Sequence, residues 1–84
     1  MKKVLKFWMT GCGPCVALGK LMEKSTDPLI QAREDVDVDE HPELVAKYGI
    51  RAVPVTLLVD EFGTVLKRHK GMMTHAQLTA FTAE

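Results

Sequence analysis

The sequence has no net charge, no long apolar run, no repeat, no low-complexity tract and only two cysteines. Lys and Arg total 11 and Asp and Glu total 11, so there is no basic field to attract nucleic acid or an anionic lipid surface. No stretch approaches the roughly 20 apolar residues that span a bilayer. The opening Met1-Lys2-Lys3-Val4-Leu5 resembles the start of a secretory signal, but Lys6 interrupts the apolar run and no small-residue cleavage site follows. The expectation is a cytoplasmic monomer with no nucleic-acid or membrane partner. In a reducing compartment a structural disulfide is disfavoured, which shifts weight to a redox or metal role for paired cysteines. With 84 residues, 46% of them hydrophobic, the chain can form one packed domain over residues 1–84 and no second core.

The two cysteines stand in Cys12-Gly13-Pro14-Cys15, where an apolar strand gives way to a helix. Sulfurs at that spacing can close on each other within one turn, and the free N–H groups of a helix start favour a thiolate on the first. The arrangement suits reversible thiol–disulfide exchange. Around it, residues 3–9 read as a buried strand, followed by a Thr10-Gly11 turn and a helix over 14–24, with Pro14 in the first helical turn. Asp27-Pro28 breaks that helix. A strand over 32–38, a short helix over 42–47 ended by Gly49, and strands over 55–60 and 64–69 joined by Glu61-Phe62-Gly63 follow. Thr74 with Gln77 marks the start of a last helix carrying Leu78 and Phe81 on one face. The order β-α-β-α-β-β-α implies an α/β fold: a four-stranded mixed sheet with three helices on its two faces.

Phe7-Trp8 ahead of the cysteine motif, Asp39 to Pro42, Lys47-Tyr48-Gly49-Ile50-Arg51, Val53-Pro54 and Gly71 together resemble the thioredoxin family over nearly the whole chain. The resemblance implies a minimal thioredoxin-like fold and a protein-disulfide reductase with Cys12 as attacking and Cys15 as more buried, resolving thiol. It implies no cofactor beyond a reversible Cys12–Cys15 disulfide, and electrons from a thioredoxin-reductase-like protein or a small thiol. It also implies a cis Pro54 that presents the Val53 backbone to an extended substrate segment. Gly11, Gly13, Pro14, Val53, Pro54, Gly71 and Met72 would form the substrate rim, with Met72 or its neighbour Met73 given to the core.

Several residues depart from the family pattern. The chain begins at the family's central strand, without the usual first strand and helix. Gly11 takes the place of a tryptophan, and Lys20 that of a helix-kinking proline. Lys6 stands where the family commonly has a buried aspartate, and Asp35 where it has the accompanying lysine. The exchanged charges are expected to pair behind Cys15, since an unpaired buried charge is costly. Such an ammonium would favour thiolate but could not accept a proton as a carboxylate does, a task left to Asp35 or a water. Other readings are a glutaredoxin-like or ribonucleotide-reductase electron donor, and a non-enzymatic binding module with the cysteines as bystanders or a zinc clamp. There is no second cysteine pair, and His41, His69 and His75 are scattered, so no metal is expected. Asp35, Asp37 and Asp39 read as a solvated acidic edge rather than a cation cage.

Overall fold

Val4, Leu5, Lys6 and Phe7 are all buried in strand β1, Lys3–Trp8, the pattern of a strand covered on both faces. The computed structural model describes residues 1–83. β1 is followed by α1 (Gly13–Glu23), α2 (Pro28–Gln31), β2 (Glu34–Asp37), α3 (Pro42–Tyr48), β3 (Val55–Val59), β4 (Val65–Lys70) and α4 (His75–Thr82). The strands lie in the order β2-β1-β3-β4. β1 runs parallel to β2 and antiparallel to β3, which in turn pairs antiparallel with β4. The expected four-stranded mixed sheet is therefore present, with β1 in its interior.

Among the described residues four helices, not three, accompany that sheet. Asp27-Pro28 does end α1, but it also starts α2. The Asp27 carboxylate accepts the Leu29 N–H at 2.9 Å as N-cap, and Pro28 occupies the first helical position, where no N–H is needed. Asp27 also accepts the Thr82 hydroxyl, tying this turn to the end of α4. The extra turn shortens β2 to Glu34–Asp37, against the expected 32–38.

Period-two alternation along the strands divides the core. Val4 and Leu58 meet Leu18 and Met22 of α1, Ile30 of α2, and Leu78 and Phe81 of α4. Leu5, Phe7, Val36, Val55 and Leu57 face the opposite way, onto Tyr48 of α3 and Ile50. α3 ends at Gly49, whose φ of 64° is the left-handed conformation that glycine adopts without a Cβ clash. α4 begins with the expected capping box: Gln77 N–H donates to Thr74 Oγ1 at 3.1 Å, and Thr74 N–H donates to Gln77 Oε1 at 2.8 Å. In the β3–β4 hairpin, Asp60 Oδ1 accepts both Phe62 N–H and Thr64 N–H at 2.9 Å, which closes the turn.

Candidate active site

The sheet register brings the loops that matter to one end. β1 runs out at Trp8 toward the cysteines, while β3 begins at Val55, opposite Phe7, immediately after Pro54. Val55 also faces Lys70, so Gly71 arrives at the same end from β4.

Cys12 is the N-cap of α1, with extended backbone, and its Sγ accepts the Cys15 N–H at 3.1 Å. The sulfur thus takes the place that a serine or aspartate oxygen fills at other helix starts, where a free N–H and the positive end of the helix dipole favour negative charge. Gly11, at φ 83°, supplies the positive-φ residue of the preceding turn, which the Cys12 N–H to Met9 carbonyl bond closes at 3.3 Å. Cys12 and Cys15 are joined in a disulfide with their Cα atoms 5.2 Å apart. Cys15 is 2% exposed, whereas Cys12 is half-buried. An incoming partner can reach Cys12, and Cys15 lies behind it.

The Val53–Pro54 bond is cis. Pro54 is buried, and its carbonyl accepts the Gly71 N–H at 2.8 Å. Among the described residues, the N–H and carbonyl of Val53 make no hydrogen bond. Val53 shares a groove of about 170 Å³ with Met9, Val38, Val45, Ile50, Arg51 and Ala52. Met72 is 44% exposed and Met73 is in the core, the division anticipated for the pair. Gly11, Gly13 and Pro14 are exposed around the motif.

Behind Cys15 the arrangement differs from the expected one. Lys6 is buried and its Nζ donates to the Cys15 carbonyl at 2.8 Å. Asp35 is exposed and pairs instead with Arg33, Nε to Oδ1 at 3.1 Å. Lys6 and Asp35 are register partners across β1 and β2 and line one cleft of about 280 Å³ with Cys15, Trp8 and Gly19, yet they form no direct ion pair. Two local alternatives explain this. Arg33, two residues from Asp35, lies largely covered beside it and reaches it locally, while the α1 carbonyl above Lys6 gives the ammonium an acceptor that its own position requires. Burial holds the Lys6 pKa below its ordinary 10.5, against the opposing pull of Asp35 and Glu23 and helped by Arg33.

Gly19 and Thr56 escaped the sequence reading. A Cβ on Gly19 would fall 2.8 Å from Lys6 Nζ, so the glycine makes the space that Lys6 fills. A glycine inside a helix is the signal that could have found it. Thr56 lies opposite Lys6 on β3, fully buried, and its Oγ1 has no hydrogen-bond partner. Among the described residues no group of three His, Cys, Asp or Glu side chains is placed to hold a metal ion. His41 contacts Glu43 and His69 contacts the Met72 carbonyl. Among the described residues no helix is long and apolar enough to cross a membrane.

A family model described as Thioredoxin matches residues 1–84. The thioredoxin of Chlorobaculum thiosulfatiphilum is 35% identical over 74 residues, covering 83% of this chain and 66% of that protein. The mitochondrial thioredoxin of Mus musculus is 34% identical over 82 residues, 93% of this chain but 48% of that protein. The chain thus spans from about half to two thirds of the length of these relatives. Among solved structures, a thioredoxin of Malassezia sympodialis superposes with a TM-score of 0.79 at 33% identity, over 94% of this chain and 70% of that one.

Proposed function

The chain belongs to the thioredoxin family of thiol–disulfide oxidoreductases, and from that premise we propose that it reduces disulfides in other proteins, with Cys12 as nucleophile and Cys15 as resolving thiol. The observation that carries this reading is the capped geometry of the pair. Cys12 Sγ sits on the Cys15 N–H at an accessible helix start, and Cys15 is buried one turn behind it.

In the dithiol form, the Cys12 thiolate attacks one sulfur of a substrate disulfide. A Cys12–substrate disulfide forms, the substrate S–S bond breaks, and the first substrate sulfur leaves as a thiolate that takes a proton from solvent. Cys15 then gives up its proton and attacks Cys12 Sγ, which releases the second substrate thiolate and leaves the Cys12–Cys15 disulfide. Two electrons have passed to the substrate. An external dithiol, supplied by a reductase protein or a small thiol, returns them.

Lys6 acts as a positioning residue. Its ammonium on the Cys15 carbonyl fixes the first turn of α1 and places positive charge where the second thiolate forms. Asp35 lines the same cleft as Cys15 and is the carboxylate we assign to receive the Cys15 proton through solvent. The unpaired N–H and carbonyl of Val53 supply an edge on which an extended substrate segment can pair, within the rim of Gly11, Gly13, Pro14, Pro54, Gly71 and Met72. A reducing compartment such as the cytoplasm and a monomeric state complete the reading.

The test is reduction of insulin disulfides by the wild type, Cys12→Ser and Cys15→Ser. Both variants are expected to lose turnover, and Cys15→Ser to accumulate a mixed disulfide through Cys12. Equal turnover in the three proteins would leave the cysteines as bystanders on a binding module.

A further inference from the structure

We propose that Arg51, Arg68 and Lys70 form a cationic subsite beside the Val53–Pro54 loop that selects substrate disulfides flanked by acidic residues. This rests on the reductase reading and names the class of substrate.

The chain is neutral in total, but the sheet order separates its charges. One edge, β2 and the turn after it, carries Glu34, Asp35, Asp37, Asp39 and Glu40, and the opposite edge, β4, carries Lys67, Arg68 and Lys70. Lys67 is spent on the Ala80 and Ala83 carbonyls of the α4 end. Arg68 and Lys70 face the other way, opposite Leu57 and Val55, onto the side of the sheet that α3 covers. There Arg68 Nη2 donates to the Tyr48 carbonyl, the last residue of α3, at 2.6 Å, which fixes the guanidinium beside Gly49. Arg51 follows two residues later.

The three cations line one cleft of about 310 Å³ together with Gly49, Ala52 and Val55, with no carboxylate in its wall. All three are exposed. None of the ion pairs seen among the described residues, Met1 amino to Glu61, Lys3 to Glu34, Arg33 to Asp35 and His41 to Glu43, engages this cluster. Like charges gathered without counter-charge repel one another, and an anion bridging them relieves that repulsion. Arg68 keeps further N–H donors free in the planar fork that matches a carboxylate.

The cleft adjoins the reacting loop. Ala52 and Val55 lie on either side of Val53-Pro54, and Lys70 is followed by Gly71, whose N–H is bonded to the Pro54 carbonyl. A substrate strand pairing with Val53 therefore passes its flanking residues over the three cations. A single small cleft opposite a strongly acidic edge fits a short acidic peptide better than a nucleic acid, which needs a basic track along its backbone.

The experiment compares two disulfide peptides, identical except for Glu or Gln on both sides of the cysteines, in single-turnover reduction by the fully reduced protein. At about 0.01 M salt, where the Debye length is about 30 Å, the Glu peptide is expected to react about three- to tenfold faster, the range for a few partly exposed ion pairs. At about 1 M salt, with a Debye length of about 3 Å, the ratio is expected to approach unity. Arg68→Gln combined with Lys70→Gln is expected to reduce the low-salt ratio to less than about twofold, and Lys20→Gln on α1 combined with Lys24→Gln at its C-cap to leave it intact. The ratio is taken within one protein, so a loss of folded material does not affect it. Equal rates for the two peptides would overturn the subsite while leaving the reductase reading, whereas failure to reduce either would overturn the reductase reading itself. A preference that survives the Arg68/Lys70 double variant would overturn the assignment to these residues. Stronger inhibition by a single-stranded oligonucleotide than by an acidic peptide lacking a disulfide would overturn the choice of an acidic peptide.

Discussion

Gly19→Ala is expected to destabilise this protein, contrary to the usual effect of that substitution inside a helix. Glycine in a helix interior costs about 0.8–1.0 kcal/mol relative to alanine, and Gly19 lies in the middle of α1. A Cβ there would lie 2.8 Å from Lys6 Nζ, and the same Nζ is 2.8 Å from the Cys15 carbonyl. The ammonium is the end of a flexible side chain and will yield before the helix backbone does. When it yields, a buried hydrogen bond with a charged donor is lost, worth about 1.5–3 kcal/mol. Set against the helix gain, the net loss is about 0.5–2 kcal/mol, a fall in Tm of about 2–15 °C for a domain of this size. In a Lys6→Met background the side chain ends one heavy atom short of Nζ, and Gly19→Ala should instead stabilise by up to about 1 kcal/mol. Urea unfolding of the four oxidised proteins gives the coupling, expected at about 1.5–3 kcal/mol. If Gly19→Ala raises stability equally in both backgrounds, Lys6 does not occupy the space the glycine leaves.

The burial of Lys6 has its own pH signature. Its folded pKa lies below the ordinary 10.5, so between those two values the unfolded chain binds more protons than the native one, and stability rises with pH. The difference in unfolding free energy between wild type and Lys6→Met should therefore climb across that window and be level below it; a level difference all the way to 10.5 would contradict the burial. Thr56→Val removes a buried hydroxyl without a partner and is expected to stabilise by about 1–3 kcal/mol in thermal unfolding, while a clear loss would reveal an acceptor for that hydroxyl. Thr74→Ala removes half of the α4 capping box and is expected to cost about 1 kcal/mol, read as a Tm lower by about 4–8 °C.

Features set by a few neighbouring residues were legible in the sequence. Thr74 and Gln77 announced the start of α4, Gly49 the end of α3, and the strand patterns the β3–β4 hairpin. The cis Pro54 was legible only through the family resemblance, since nothing within the dipeptide distinguishes cis from trans. α2 was missed because one dipeptide has two readings: Asp27-Pro28 stops a helix behind it and caps one ahead of it, and four residues are too few to show a period. For Lys6 and Asp35 the resemblance placed the two side by side on β1 and β2, as the register shows. It did not choose their partners. That choice depended on what lies above the sheet, a carbonyl of α1 left within reach by Gly19, and on Arg33 two residues from the aspartate.

The charge distribution shows most directly why composition could not describe the site's surroundings. Eleven cations and eleven anions sum to zero in any arrangement, and the sum alone argued against a basic field. Sheet order decides otherwise. With β1 and β3 between them, β2 and β4 are three strand spacings apart, about 14 Å at 4.7–4.9 Å each, which exceeds the Debye length of about 8 Å at physiological salt. The acidic edge therefore does not cancel the basic one at that distance. On the proposed subsite, a peptide on the Val53–Pro54 loop would experience the cations of its own cleft rather than the neutrality of the chain, and its selection would follow from which strand lies at which edge.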